Sequence, residues 1–197
     1  MKKREYSLIL LPAFAFVFLF LASPALASFG NNNIKIVGQE AIWGGPNTWI
    51  ASTYHFGSGP IFVKSGTVVA LTDSTQDPHT LTLAVQSDLP NTAENALNCG
   101  QPGYPQICAV AAAVIPPPPT TPDSCYVAGI GSTDGGSSSS PCVLSTPFDV
   151  ETASTGDQAV ILPGQTLYLE VTGSPGTIIH FMCIIHPWMQ GEFIITK

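Results

Sequence analysis

The chain has 197 residues, a formal net charge of −7 and only 10% charged residues. Six Lys and Arg in all, with no cluster after residue 4, exclude nucleic-acid binding, because neutralising a phosphate backbone needs grouped cations. Abundant Ser, Thr, Gly and Pro with so little charge suit an exported β-rich protein.

Lys2, Lys3 and Arg4 precede an apolar stretch from Leu8 to Leu21, interrupted by Pro12, and Ala25-Leu26-Ala27 offers a small-x-small cleavage pattern. This predicts a signal peptide over residues 1–27 and a mature domain over 28–197. The alternative is an uncleaved anchor, for which the apolar run falls short of the roughly 20 residues a span needs. The protein is expected to be exported, either periplasmic or extracellular and cell-surface. Membrane association would come only through an uncleaved N-terminal segment. The mature chain keeps Lys35, Lys64 and Lys197 against twelve acidic residues, a net charge of −9. Such an acidic protein is steered toward a basic patch on a partner. Its length suits one domain with a core, and not two.

Beyond the signal no helical periodicity of useful length appears; short β-rich runs are punctuated by Gly and Pro. Ile34–Val37 is the first predicted strand. Ile61-Phe62-Val63, a turn at Gly66 and Thr67–Thr72 read as a hairpin-like step into a central strand. Leu81–Val85 alternates with period two, as a half-buried strand does. Val160-Ile161-Leu162, a Pro163-Gly164 turn and Thr166–Val171 repeat the hairpin grammar. Two last strands, within Gly176–Cys183 and Gly191–Thr196, flank a short loop. Together these predict an all-β, antiparallel Greek-key sandwich.

Residues 91–147 read as a long insertion at one edge or end of that sandwich. They hold Cys99, Cys108, Cys125 and Cys142, the Pro116–Pro119 run and the tract Gly135-Gly136-Ser137-Ser138-Ser139-Ser140. Four cysteines in an exported chain predict two disulfides, with all three pairings open. The insertion's role is equally open between partner docking, protection of a site and a stapled decorative loop.

The fifth cysteine needs a separate reason. Cys183-Ile184-Ile185-His186-Pro187-Trp188-Met189 packs a thiolate, an imidazole and a thioether into seven positions, and Asp77-Pro78-His79-Thr80 supplies a second imidazole. Two His, one Cys and a weak Met are the ligand types of a mononuclear electron-transfer copper site. His55 and His180 read as structural or exposed, and Met182 as packing.

Gly176–Thr196, with Cys-x2-His-x2-Met and the His186-Pro187 step, resembles the end of a cupredoxin, and its ligand loop is most similar to that of amicyanin. Plastocyanin and pseudoazurin are broader relatives by the same resemblance, with longer ligand loops. Thr67–Thr82 resembles the family's first-histidine segment, and Val160–Val171 its penultimate hairpin. The likeness covers about two-thirds of the mature chain. It implies one type 1 copper ion held by His79, Cys183 and His186 with Met189 axial, and a one-electron carrier between redox partner proteins. The alternative is a copper-binding module for storage, delivery or service to a membrane oxidase or oxygenase. Thr80 would donate toward the Cys183 sulfur, and Trp188 would cover the metal or add to an apolar docking face. Asp73 stands where such relatives often have Asn, a departure in that loop's hydrogen bonding.

Enzyme readings within the same fold fail on counting. Additional copper centres need more histidines than the four present, and a binuclear centre needs a second bridging cysteine beside Cys183. No catalytic triad or phosphate-binding loop emerges.

Overall fold

The computed structural model describes residues 33–43, 49–57, 59–114, 124–127, 130–133, 137 and 140–197. The expected signal segment 1–27, the Pro116–Pro119 run and Gly135, Gly136, Ser138 and Ser139 lie outside the described residues. Fourteen strands follow in chain order among them: β1 (Asn33–Val37), β2 (Glu40–Trp43), β3 (Trp49–Ser52), β4 (His55–Phe56), β5 (Ile61–Lys64), β6 (Thr67–Asp73), β7 (His79–Ala84), β8 (Ser124–Val127), β9 (Ile130–Thr133), β10 (Cys142–Leu144), β11 (Gln158–Ile161), β12 (Thr166–Val171), β13 (Ile178–Met182) and β14 (Gln190–Thr196). Between β7 and β8 stand two short helices, α1 (Ala93–Leu97) and α2 (Ile107–Val114).

One sheet has the order β10-β12-β6-β1-β4, the other β5-β14-β13-β7-β11-β8-β9, and β2 and β3 form a separate hairpin. Most neighbours are antiparallel; β1 with β6, β10 with β12 and β5 with β14 are parallel. The two sheets face each other across a shared core. β6 and β12 contribute Val69, Leu71, Leu167, Leu169 and Val171 from one side, and Leu81, Leu83, Phe181, Phe193 and Ile195 meet them from the other. β12 shows the alternation that makes this work, burying Leu167, Leu169 and Val171 while Thr166, Tyr168 and Glu170 stay partly exposed. Each fully buried large apolar side chain is worth about 1.5–3 kcal/mol. Phe181 lies at the centre of this layer, edge-on to Phe56 at 5.1 Å and tilted against Phe193 at 4.7 Å. A Cβ at position 191 would stand 2.5 Å from the Phe181 ring, so glycine is required there.

Two expected hairpins are not hairpins. β5 pairs with β14 while β6 lies in the opposite sheet, so the Ser65-Gly66 turn carries the chain across the sandwich. The Pro163-Gly164 turn does the same between β11 and β12. Gly66 at φ 73° and Gly164 at φ 77° provide the tight reversal. A turn signal marks a reversal of direction and says nothing about whether the returning strand pairs or crosses.

The insertion also differs in detail from its expected form. Its strands β8 and β9 extend the seven-stranded sheet beyond β11, and β10 borders the other sheet. Its helices were not visible as periodicity because α1 and α2 are only 5 and 8 residues long. Thr92 caps α1 by accepting the N–H of Asn95, and the disulfide Cys99–Cys108 ties α2 back to the end of α1. Cys142 is also disulfide-bonded. Ile107, Cys108 and Ala111 of α2 pack in one cluster with Ala84, Phe148, Met182 and Ile184. Since Ala84 and Met182 point away from the core side of their strands, α2 covers the outer face of the sheet. β7 is therefore buried on both faces rather than half-buried.

Candidate metal centre

His79 opens β7, immediately after Asp77-Pro78, and Cys183 follows the last residue of β13. β7 and β13 are hydrogen-bonded neighbours, with Met182 opposite Thr82, so the strand ends carrying the two residues lie side by side. His186 and Met189 come from the loop joining β13 to β14. That loop is closed on itself: Cys183 N–H donates to the Met189 carbonyl at 2.9 Å, and Met189 N–H to the His186 carbonyl at 2.8 Å. The Gln190 amide holds it from outside, donating to the carbonyls of Pro187 at 3.0 Å and Pro90 at 2.7 Å.

Four side chains meet at this end of the sandwich. One donor atom from each of His79, Cys183 and His186 lies within 4.8 Å of the others. Met189, 1% exposed, belongs to the same core cluster as Cys183. Nδ1 of His79 is 3.1 Å from Nδ1 of His186, and Cys183 Sγ is 3.9 Å from the first and 3.7 Å from the second. With bonds of about 2.0–2.1 Å to imidazole nitrogen and about 2.3 Å to thiolate sulfur, such separations correspond to angles of roughly 100° between nitrogens and roughly 115–130° from sulfur to each nitrogen. The three donors could hold a single ion between them. Two imidazoles, one thiolate and a neighbouring thioether make a soft, copper-type set.

The electrostatics match. Burial pushes the Cys183 thiol up, opposed by hydrogen bonds from the backbone N–H groups of Thr80, His186 and Ile185. Burial holds His79 down at about 4, with Asp73 pulling the other way and a charged His186 adding to the depression. His186 is lowered by burial too, against the pull of Glu40, Asp77 and Asp73. The imidazoles are thus kept neutral, as ligation requires, and the thiolate is favoured once a cation compensates its charge.

Thr80 donates its N–H to Cys183 Sγ at 3.3 Å, as its position suggested, and its hydroxyl accepts the N–H of Ile184 at 2.9 Å. Trp188 is 39% exposed, with its ring 5.4 Å from that of His186. His55 and His180 lie outside the cluster: His55 is exposed and contacts the Thr53 carbonyl, and His180 stands 3.7 Å from Glu192. Met182 packs in the cluster under α2.

Residues without a sequence signal complete the surroundings. Tyr54 is buried, with its ring 4.9 Å from those of both His79 and His186, and its hydroxyl donates to Asp77 Oδ2. Burial, that bond and the charge of Asp77 push Tyr54 up to about 12. Thr75 reaches His79 Nε2 at 2.9 Å. A tyrosine in a segment without a motif and a threonine in a turn carry no pattern that would single them out.

No family model and no curated protein matches the chain. Among solved structures it is similar to Na-dithionite reduced auracyanin from the photosynthetic bacterium Roseiflexus castenholzii, with 12% identity over 73% of this chain and 88% of that one and a TM-score of 0.37. It is also similar to auracyanin B, with 13% identity over 84% and 87% of the two chains and a TM-score of 0.36.

Proposed function

We propose that this chain is an exported cupredoxin, a mononuclear type 1 copper protein that passes single electrons between redox partners. The observation that carries the reading is the meeting of three buried donors, two nitrogens and one sulfur, at the separations one ion requires. His79, Cys183 and His186 would hold the metal, and Met189 would add a weak thioether donor. Copper bound there supplies a one-electron Cu(II)/Cu(I) couple.

The chain's own residues do the rest. β7 and the closed Cys183–Met189 loop fix the donors in advance, so little has to move when charge changes. Thr80 shares its N–H with the sulfur, which tempers the thiolate's donor strength. Tyr54 fills the space against both imidazoles and keeps water from them. His186, 6% exposed, is the most exposed of the three, and Trp188 and Ile185 beside it present apolar surface through which an electron can leave. The ligand-loop spacing supports a short-loop site of the amicyanin kind. The acidic composition suits redox partners that present a basic patch. Export follows from reading residues 1–27 as a signal peptide and 28–197 as the mature domain. Among the described residues no helix is long and apolar enough to cross a membrane.

The test is a visible and EPR spectrum of the mature protein loaded with Cu(II), beside Cys183→Ser. An intense thiolate-to-copper band with narrow hyperfine splitting, lost in the variant, is the expected result. A pale spectrum with ordinary splitting, unchanged by the substitution, overturns it. Fast copper release with slow electron exchange would instead assign the same donors to copper storage or delivery.

A further inference from the structure

We propose that Asp73 and Thr75 act as a positioning pair for His79, holding its ring with the proton on Nε2 and the Nδ1 lone pair turned to the metal. The inference rests on the copper reading above and concerns residues that reading does not use. Asp73 ends β6 and is fully buried, and its backbone is pinned from both sides. Its N–H donates to the Gln165 carbonyl at 2.9 Å, and its own carbonyl accepts the N–H of Gly164 at 3.0 Å. The carboxylate is thus a fixed point. Its Oδ1 accepts both the N–H and the hydroxyl of Thr75, each at 2.8 Å.

A hydroxyl has one proton and two acceptor sites. That proton faces two acceptors, Asp73 Oδ1 at 2.8 Å and the Asp77 carbonyl at 3.1 Å, so toward the His79 ring the Thr75 oxygen accepts. The 2.9 Å contact is therefore Nε2–H donating to Oγ1. Nδ1 then carries no proton, and it is the atom facing His186 Nδ1 and Cys183 Sγ.

Asp73 Oδ2 is buried and has no hydrogen-bond partner among the described residues. A carboxylate in that position carries charge that no donor fully compensates, which is tolerated best beside a cation. Passed through the Thr75 hydroxyl, the same charge strengthens His79 as a donor, more for the doubly than for the singly charged ion. Asp73, in place of a neutral amide, thus biases the site toward Cu(II).

The experiment compares wild type, Thr75→Val, Thr75→Ser and Asp73→Asn. In the metal-free proteins, nitrogen-15 NMR of the histidine rings reads the tautomer. Wild type and Thr75→Ser are expected to show His79 as Nε2–H, and Thr75→Val a mixture. In the loaded proteins, chelator competition for Cu(II) is expected to show a loss of about 10–100-fold in Thr75→Val, restored in Thr75→Ser. Asp73→Asn keeps the tautomer but raises the reduction potential, by about 59 mV for each tenfold by which Cu(II) binding weakens more than Cu(I). A wild-type tautomer and wild-type Cu(II) affinity in folded Thr75→Val overturn the proposal. The tautomer is read without metal, so a failure of copper to bind wild type would strike the functional reading and leave this test standing.

Discussion

The backbone N–H of Thr80 points at the Cys183 sulfur from 3.3 Å, while the hydroxyl of the same residue accepts the N–H of Ile184, the residue after that cysteine, at 2.9 Å. One threonine therefore opposes the effect of burial on the Cys183 thiol and holds the path of the loop that follows it. Its position directly after His79 couples the loop to the other side of the site.

Thr80→Val keeps the N–H and the shape but removes the acceptor, leaving the buried Ile184 N–H unpaired. The expected cost is about 1–3 kcal/mol in urea unfolding of the metal-free protein. Thr80→Ser should recover most of it. Equal stability in wild type and Thr80→Val would remove the hydroxyl from this account.

The proposed donors stood out in the sequence because ligation tolerates few side-chain types, and Cys183, His186 and Met189 fall within one seven-residue stretch. His79 was legible beside Pro78 for the same reason. What surrounds them was not. Tyr54 reaches the histidines from a segment 25 residues upstream of His79, and only the fold brings it there. The strands of the core showed through their alternation, whereas the sheet each belongs to did not. Gly66 and Gly164 announce a reversal equally well for a pairing strand and for one that crosses the sandwich. On β7, the half-buried reading of Leu81–Val85 left Thr82 and Ala84 for the solvent face. Both are buried: Ala84 packs with α2, and Thr82 donates its hydroxyl to the Gln158 amide oxygen at 3.2 Å while that amide donates to the Ala111 carbonyl of α2 at 3.2 Å. That long-range polar contact has no local signal.

Acid should destabilise the metal-free protein through His79. Its folded value of about 4 lies below the ordinary 6.5, so in that window the unfolded chain binds the proton and the folded one does not. Stability is therefore full above about pH 6.5 and falls as the pH drops toward about 4, by up to about 1.4 kcal/mol for each pH unit. Below that, both states are protonated and this group changes nothing further. His186, also lowered by burial, acts in the same direction. Thermal melts of chelator-treated protein across this range should show the midpoint falling with pH. The dependence should flatten in His79→Gln. A midpoint independent of pH would show that the histidines titrate freely in the fold.

The disulfide-tied helix makes a separate prediction about the insertion. Cys99 and Cys108 are nine residues apart, and removing such a link by the double replacement Cys99→Ser, Cys108→Ser should cost roughly 2–3 kcal/mol. The consequence should reach the metal, because α2 packs on Met182 and Ile184, the two residues that flank the thiolate. Loosening that contact frees the chain on both sides of Cys183 without touching a donor. Copper release to a chelator should then quicken while the visible band stays in place, since the donors are unchanged. A destabilised variant that releases copper at the wild-type rate would mean that α2 stabilises the fold without guarding the site. The insertion would then have to be explained by what it presents to a partner.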